Sequence, residues 1–221
     1  MLRACPENRI AYLQVALMWL AVGCDSECNL PVAPDSDGVQ HCGPDYVGDP
    51  EIPPQFTATS LGPTMIPAAL ADGGVVSLIA PPQGGRVVFI GVQGATNLEP
   101  CGVTLLAAVR DIRSGQVRLD SRTLNLVVGQ DGKGASLESD ISTFANVPLC
   151  PNQWSHDAIF DRDYEVTVSL TDRQGRSAAQ RFLIRPTCNL PEEAMVCQCL
   201  CKKDYKLGES CLGNPSKDGG I

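Results

Sequence analysis

Apolar and polar positions alternate most cleanly between Asp161 and Arg185. Tyr164, Val166, Val168 and Leu170 alternate with Glu165, Thr167, Ser169 and Thr171, a period of two that gives a strand one dry and one wet face. Asp172-Arg173-Gln174-Gly175 then supplies a turn, with glycine where a positive φ is wanted. The return strand sets Phe182 and Ile184 against Arg181 and Arg185. A hairpin alone is marginal in water, so this one requires a sheet and a second layer to bury its dry face.

Upstream segments supply both. Val75–Ala80 is followed by the breaker Pro81-Pro82-Gln83-Gly84-Gly85, and Arg86–Val92 is apolar on both faces, as a central strand is. Val103–Val109 ends at the turn Ser114-Gly115; Gln116–Leu119 and Arg122–Val128 alternate; Gly129–Gly134 is an exposed loop. Ala135–Phe144 has no clear period and is assigned as an irregular strand. About seven short strands in about 115 residues predict an all-β fold, an antiparallel two-sheet sandwich. Asp163–Val168, followed by Thr171-Asp172 and Gly175, resembles the last two strands of immunoglobulin-like and cadherin-like domains. The resemblance, over about 25 residues, implies an immunoglobulin-like sandwich in which Tyr164 anchors a corner. The immunoglobulin Cys-Trp-Cys order is not found, because Trp154 follows Cys150.

Composition refines this picture. The chain is 43% hydrophobic but only 5% aromatic, so Val, Leu, Ile and Ala fill most of the core. The 21 glycines and 17 prolines favour short strands and turns, and no amphipathic helix of three turns is evident after residue 30. A formal charge of −8 argues against a nucleic-acid partner, which needs a basic surface. The acidic residues are dispersed and suit a solvated surface.

Residues 1–23 have the pattern of an export signal: Arg3 and Arg9 precede the apolar stretch Ile10–Val22, interrupted only by Gln14. The stretch falls short of the about 20 apolar residues of a membrane span. Leu20-Ala21-Val22-Gly23-Cys24 closes it and resembles the lipobox of bacterial lipoproteins. That resemblance implies cleavage before Cys24, lipid on its thiol, and a chain anchored in the bacterial cell envelope, facing the periplasm or exterior. Ala21-Val22-Gly23 also fits the small-x-small site of ordinary signal peptidase, which would secrete the protein without lipid. The expected organisation is a signal peptide (1–23), a flexible Pro/Gly/Asp-rich tether (24–67), the sandwich (68–187) and a short cysteine-rich tail (188–221).

There are eleven cysteines, and Cys5 leaves with the signal. Disulfides are the default in an oxidising compartment. If Cys24 is lipidated an odd number remains; if it stays a thiol all can pair. A bond between Cys101 and Cys150, which flank the middle of the domain, is expected. Five cysteines crowd into Thr187–Cys211, as in a segment that cannot build a core of its own. The run Cys197, Cys199, Cys201 fits disulfides better than zinc, which takes ligands in C-x₂₋₄-C pairs.

Catalytic signals are sparse. Ser155-His156-Asp157 holds all three triad residue types, but consecutive residues do not place three side chains in hydrogen-bonded sequence. No G-x-S-x-G, H-E-x-x-H or phosphate-loop pattern occurs, so no catalytic residue and no cofactor is assigned. For calcium, Asp35-Ser36-Asp37-Gly38-Val39-Gln40-His41-Cys42 resembles a thrombospondin-type repeat, and Asp120, Asp161 and Asp163 offer hard oxygen ligands. The expectation is a lipid-anchored, non-enzymatic envelope or surface protein that binds a protein partner or serves surface assembly. Its rivals are a secreted disulfide-rich binding module and an exported enzyme or carbohydrate-handling domain with acidic loops.

Overall fold

The computed structural model describes residues 46–137 and 140–211. The signal segment, Cys24 and the acidic stretch Asp35–Cys42 lie outside them. Two sheets account for most of what is described. The first contains β1 (Gln55–Leu61), β2 (Pro67–Ala69), β4 (Arg86–Thr96), β7 (Val127–Val128), β8 (Gly134–Ala135) and β9 (Ala145–Cys150). Its order is β2-β1-β4-β8-β7, with β9 also paired to β4. The second contains β3 (Gly74–Ser77), β5 (Val103–Asp111), β6 (Val117–Leu124), β10 (Tyr164–Thr171) and β11 (Ser177–Thr187), in the order β3-β11-β10-β5-β6. All pairings are antiparallel except β3 with β11. The fold is the all-β sandwich that the alternation predicts.

The β10–β11 hairpin forms in the expected register, from Tyr164 opposite Ile184 to Thr171 opposite Ser177. Its turn is held by Asp172, whose Oδ1 accepts from the Gln174 and Arg176 N–H groups, and Gly175 has φ +80°. Tyr164, Val166, Val168 and Leu170 are all buried, each such side chain contributing about 1.5–3 kcal/mol by leaving water. They meet Leu105, Ala107 and Val109 of β5 and Val88, Ile90 and Val92 of β4 in one core between the sheets.

Strand β4 is buried on both faces, as its sequence implies. Its other face, with Val87 and Phe89, packs on Leu61, Ile79 and Phe144 in a second, smaller cluster. Gly91 faces this cluster, where an added Cβ would lie 2.4 Å from the Phe144 ring. Only glycine fits there without displacement.

Several expectations are corrected. The segment assigned to the tether, 24–67, includes β1, whose Phe56, Ala58, Thr59, Ser60 and Leu61 are buried, and Val47 already bridges to Leu98. Small and hydroxyl residues hide the strand period in Thr57-Ala58-Thr59-Ser60, and the flanking prolines dominate the composition. Segments Gln116–Leu119 and Arg122–Val128 are not two strands: β6 runs unbroken to Leu124, and β7 is a separate two-residue strand. Ala135–Phe144 is no strand but the end of β8 and a 3₁₀ turn, Ile141–Thr143, capped by Asp140 accepting from the Ser142 N–H. The missing strand is β9, which carries Pro148. Proline reads as a breaker but is tolerated where no ladder hydrogen bond is required of it. The Asn146 N–H donates to Asp120 Oδ2 at 2.7 Å, and this joins β9 to β6 of the other sheet.

The tail is not separate from the sandwich. It holds the helix α1 (Ala194–Cys201), whose Cys197 and Cys201 belong to the main core. No helix among the described residues is long and apolar enough to cross a membrane.

Candidate functional site

Cys150–Cys201 bolts the tail to one end of the sandwich, and Cys188–Cys197 and Cys199–Cys211 close loops within the tail. They work with backbone bonds from Asn152 N to Leu200 O and from Ile159 N to Cys201 O. The Asn152 amide adds bonds to the Lys202 and Asp157 carbonyls. Buried Arg86, at the start of β4, pairs with Glu193 beside the helix N-terminus at 3.1 Å. The expected Cys101–Cys150 bond is therefore not formed. Cys150 lies opposite Arg86 at one end of β4, whereas Cys101 follows Thr96 at the other. Eleven strand residues put these ends about 35 Å apart, and a disulfide needs its Cα atoms within about 7 Å. Cys101 is disulfide-bonded too. The other six described cysteines pair among themselves.

An open cleft of about 760 Å³ lies beside the β7–β8 hairpin. Thr57 of β1 and Gln93 and Gly94 of β4 form one wall, and Val127, Asp131, Lys133 and Leu137 form the other. Val127 and Leu137 are exposed apolar side chains, and Thr57, Gln93 and Lys133 put a hydroxyl, an amide and an ammonium beside them. Ser136 also lines the cleft, but its hydroxyl donates to the Thr143 carbonyl and accepts from the Val92 N–H. Asp131 Oδ1 accepts from the Lys133 N–H and steadies the loop. Such a wall offers mixed polar and apolar contacts to a ligand.

Ser155, His156 and Asp157 do not meet as a triad. The Ser155 hydroxyl donates to Asp111 Oδ2 at 3.2 Å, and Asp157 Oδ2 pairs with Arg113 at 3.1 Å and Arg162 at 2.7 Å. Asp111 is buried, which raises its pKa, but hydrogen bonds from Arg113, Ser114 and Ser155 outweigh this and leave it below the ordinary value. Burial pushes the Tyr164 hydroxyl above its usual range. Tyr164 packs on Trp154 with ring centroids 5.7 Å apart, while the Trp154 indole N–H donates to the Leu149 carbonyl.

Of the described carboxylates considered for calcium, Asp161 and Asp163 line one small cleft and Asp120 is not among its lining residues. Asp163 forms a two-pronged pair with Arg185, Asp120 pairs with Arg122 at 2.7 Å, and Asp161 lines a small cleft with Arg113, Arg162 and Arg185. Each has arginine for a neighbour, and that cancels the negative potential a hard cation seeks. Sequence reasoning missed a sulfur cluster among the described residues. Cys188, Cys197 and Cys201 have Sγ atoms all within 4.8 Å of one another. The i, i+4 spacing of Cys197 and Cys201 was its visible sign.

No protein-family model matches the chain, and no curated protein matches it.

Proposed function

We propose that the chain is a lipid-anchored, non-enzymatic protein of the bacterial cell envelope that presents a β-sandwich for binding or surface assembly. The observation that carries the reading is Leu20-Ala21-Val22-Gly23-Cys24 closing a basic-then-apolar segment. Three cystines among the described residues support export, because such bonds persist in oxidising compartments. The open cleft beside β7–β8 supports a binding role, with protein as the partner class. Mature lipoproteins carry several acyl chains, enough for firm anchoring where one chain is marginal.

The test is the intact mass of the protein taken from its native envelope, with and without Cys24→Ala. A diacylglycerol-plus-acyl increment on Cys24, and release of Cys24→Ala into the soluble fraction, is the expected result. A chain starting at Cys24 or nearby with no increment would replace this reading with plain secretion of a disulfide-rich binding module.

A further inference from the structure

We infer that Cys150, Cys188, Cys197 and Cys201 make up, in their thiol state, a single tetrathiolate site for a soft divalent cation of the zinc class. In the oxidised protein these four form two cystines lying side by side. The Cys188, Cys197 and Cys201 sulfurs lie within 4.8 Å of one another, and the Cys150 sulfur is covalently bonded to that of Cys201. Zinc with four thiolates at about 2.3 Å holds its sulfurs about 3.8 Å apart. Opening the two S–S bonds lets Cys150 part from Cys201 and Cys188 from Cys197, and closing the gap between the Cys201 sulfur and the Cys188 and Cys197 sulfurs by about 1 Å brings them to that spacing.

Three separate elements supply the ligands. Cys150 ends β9, Cys188 follows β11, and Cys197 and Cys201 lie one turn apart on α1. Cys197 and Cys201 are spaced C-x₃-C, within the range of structural zinc pairs. The obvious run in the sequence, Cys197-x-Cys199-x-Cys201, is not the ligand set, because Cys199 is bonded to Cys211 instead. Metal and cystines would therefore hold the same joint, the tail against the end of the sandwich, in two redox states. Each cystine gives two thiols by taking two electrons from a phosphine, which leaves as its oxide while water supplies the oxygen and both protons, or two electrons and two protons from a dithiol, which closes to its own disulfide. Forming four metal–sulfur bonds then releases the four thiol protons to solvent.

The experiment is an anaerobic titration of the full phosphine-reduced chain with Co²⁺, followed by Zn²⁺. Intense visible bands of tetrahedral thiolate cobalt should saturate at one equivalent and vanish as zinc displaces cobalt. Cys188→Ser and Cys150→Ser should each weaken uptake at least about tenfold, the loss expected even for an outer-shell partner. The double variant Cys199→Ser/Cys211→Ser should bind as the parent does. Every variant keeps the remaining thiols, so these differences report the site and not general thiol binding. Zinc should also raise the melting temperature of the reduced chain by several degrees. Uptake lost equally in the Cys199/Cys211 variant, or a reduced chain whose melting zinc leaves unchanged, would overturn the inference.

Discussion

Gln180 holds Phe56 by its backbone across the two sheets. Its Nε2 donates to the Phe56 carbonyl at 2.6 Å, and its Oε1 accepts from the Ala58 N–H at 3.2 Å. Gln180 stands opposite Val168 on the inward face of the hairpin, where the alternation calls for an apolar residue. The two bonds replace partners that the edge of β1 otherwise lacks at this point.

Gln180→Leu is apolar and similar in size, yet it should destabilise the domain by about 1–3 kcal/mol, because two main-chain groups lose their partners. Urea unfolding of both proteins measures this directly. An unchanged midpoint would show that water satisfies both groups and that the clamp contributes nothing.

Gly91→Ala should cost about 1–3 kcal/mol by overpacking against Phe144, whose ring sits 2.4 Å from the new Cβ. Phe144→Leu in the same chain should recover part of the loss through coupling between the two sites. Thermal melts of the four proteins of this double-mutant cycle decide it; strictly additive losses would mean that the contact is relieved elsewhere.

Peptide mapping without reduction should link Cys150 to Cys201 and never to Cys101. The Cys150–Cys201 pair spans 51 residues of sequence and Cys199–Cys211 spans 12. By loop entropy alone, replacing the first pair with serines should cost about 4 kcal/mol and the second about 3 kcal/mol. Removal of the first also takes buried sulfur from the core, so its loss should be the larger in guanidinium unfolding. The reverse order would argue that the short tail loop, not the helix joint, carries the cap.

Asp111 gives the molecule an acid-sensitive point. Its folded pKa lies below the ordinary value, so its contribution is complete above the unfolded value of about 4 and is lost as pH falls through the folded one. Asp111→Asn should start less stable at pH 6, having lost the charge-assisted bonds from Arg113, Ser114 and Ser155. It should then lose less melting temperature than the parent on acidification below about pH 4. Parallel melting curves across that range would assign the acid response to other carboxylates.

The parts of the fold that were legible in the sequence are those where a strand has one face in water. β10 and β11 alternate openly, and the hairpin turn carries its own glycine and aspartate. β4 was legible for the opposite reason, because burial on both faces leaves an unbroken apolar run. β1 and β9 were not: one is built of threonine, alanine and serine, and the other contains Pro148, so composition pointed to linker and breaker. Cystine pairing was illegible in principle. Cys101 and Cys150 frame the domain in sequence, but β4 holds their surroundings at opposite ends, and only the strand register reveals it. The sulfur cluster depends in the same way on three elements meeting, with only the i, i+4 step of Cys197 and Cys201 visible beforehand.

The early start of the sandwich also sets how far it can stand from a bilayer. Val47 is already pinned to Leu98, so on the proposed reading, with lipid on Cys24, at most about 23 residues separate anchor from domain rather than the about 44 that composition suggested, a reach of no more than about 80 Å. A domain held so close to the headgroups would search a thin layer above its own membrane, and its partners would have to come within that layer to be met.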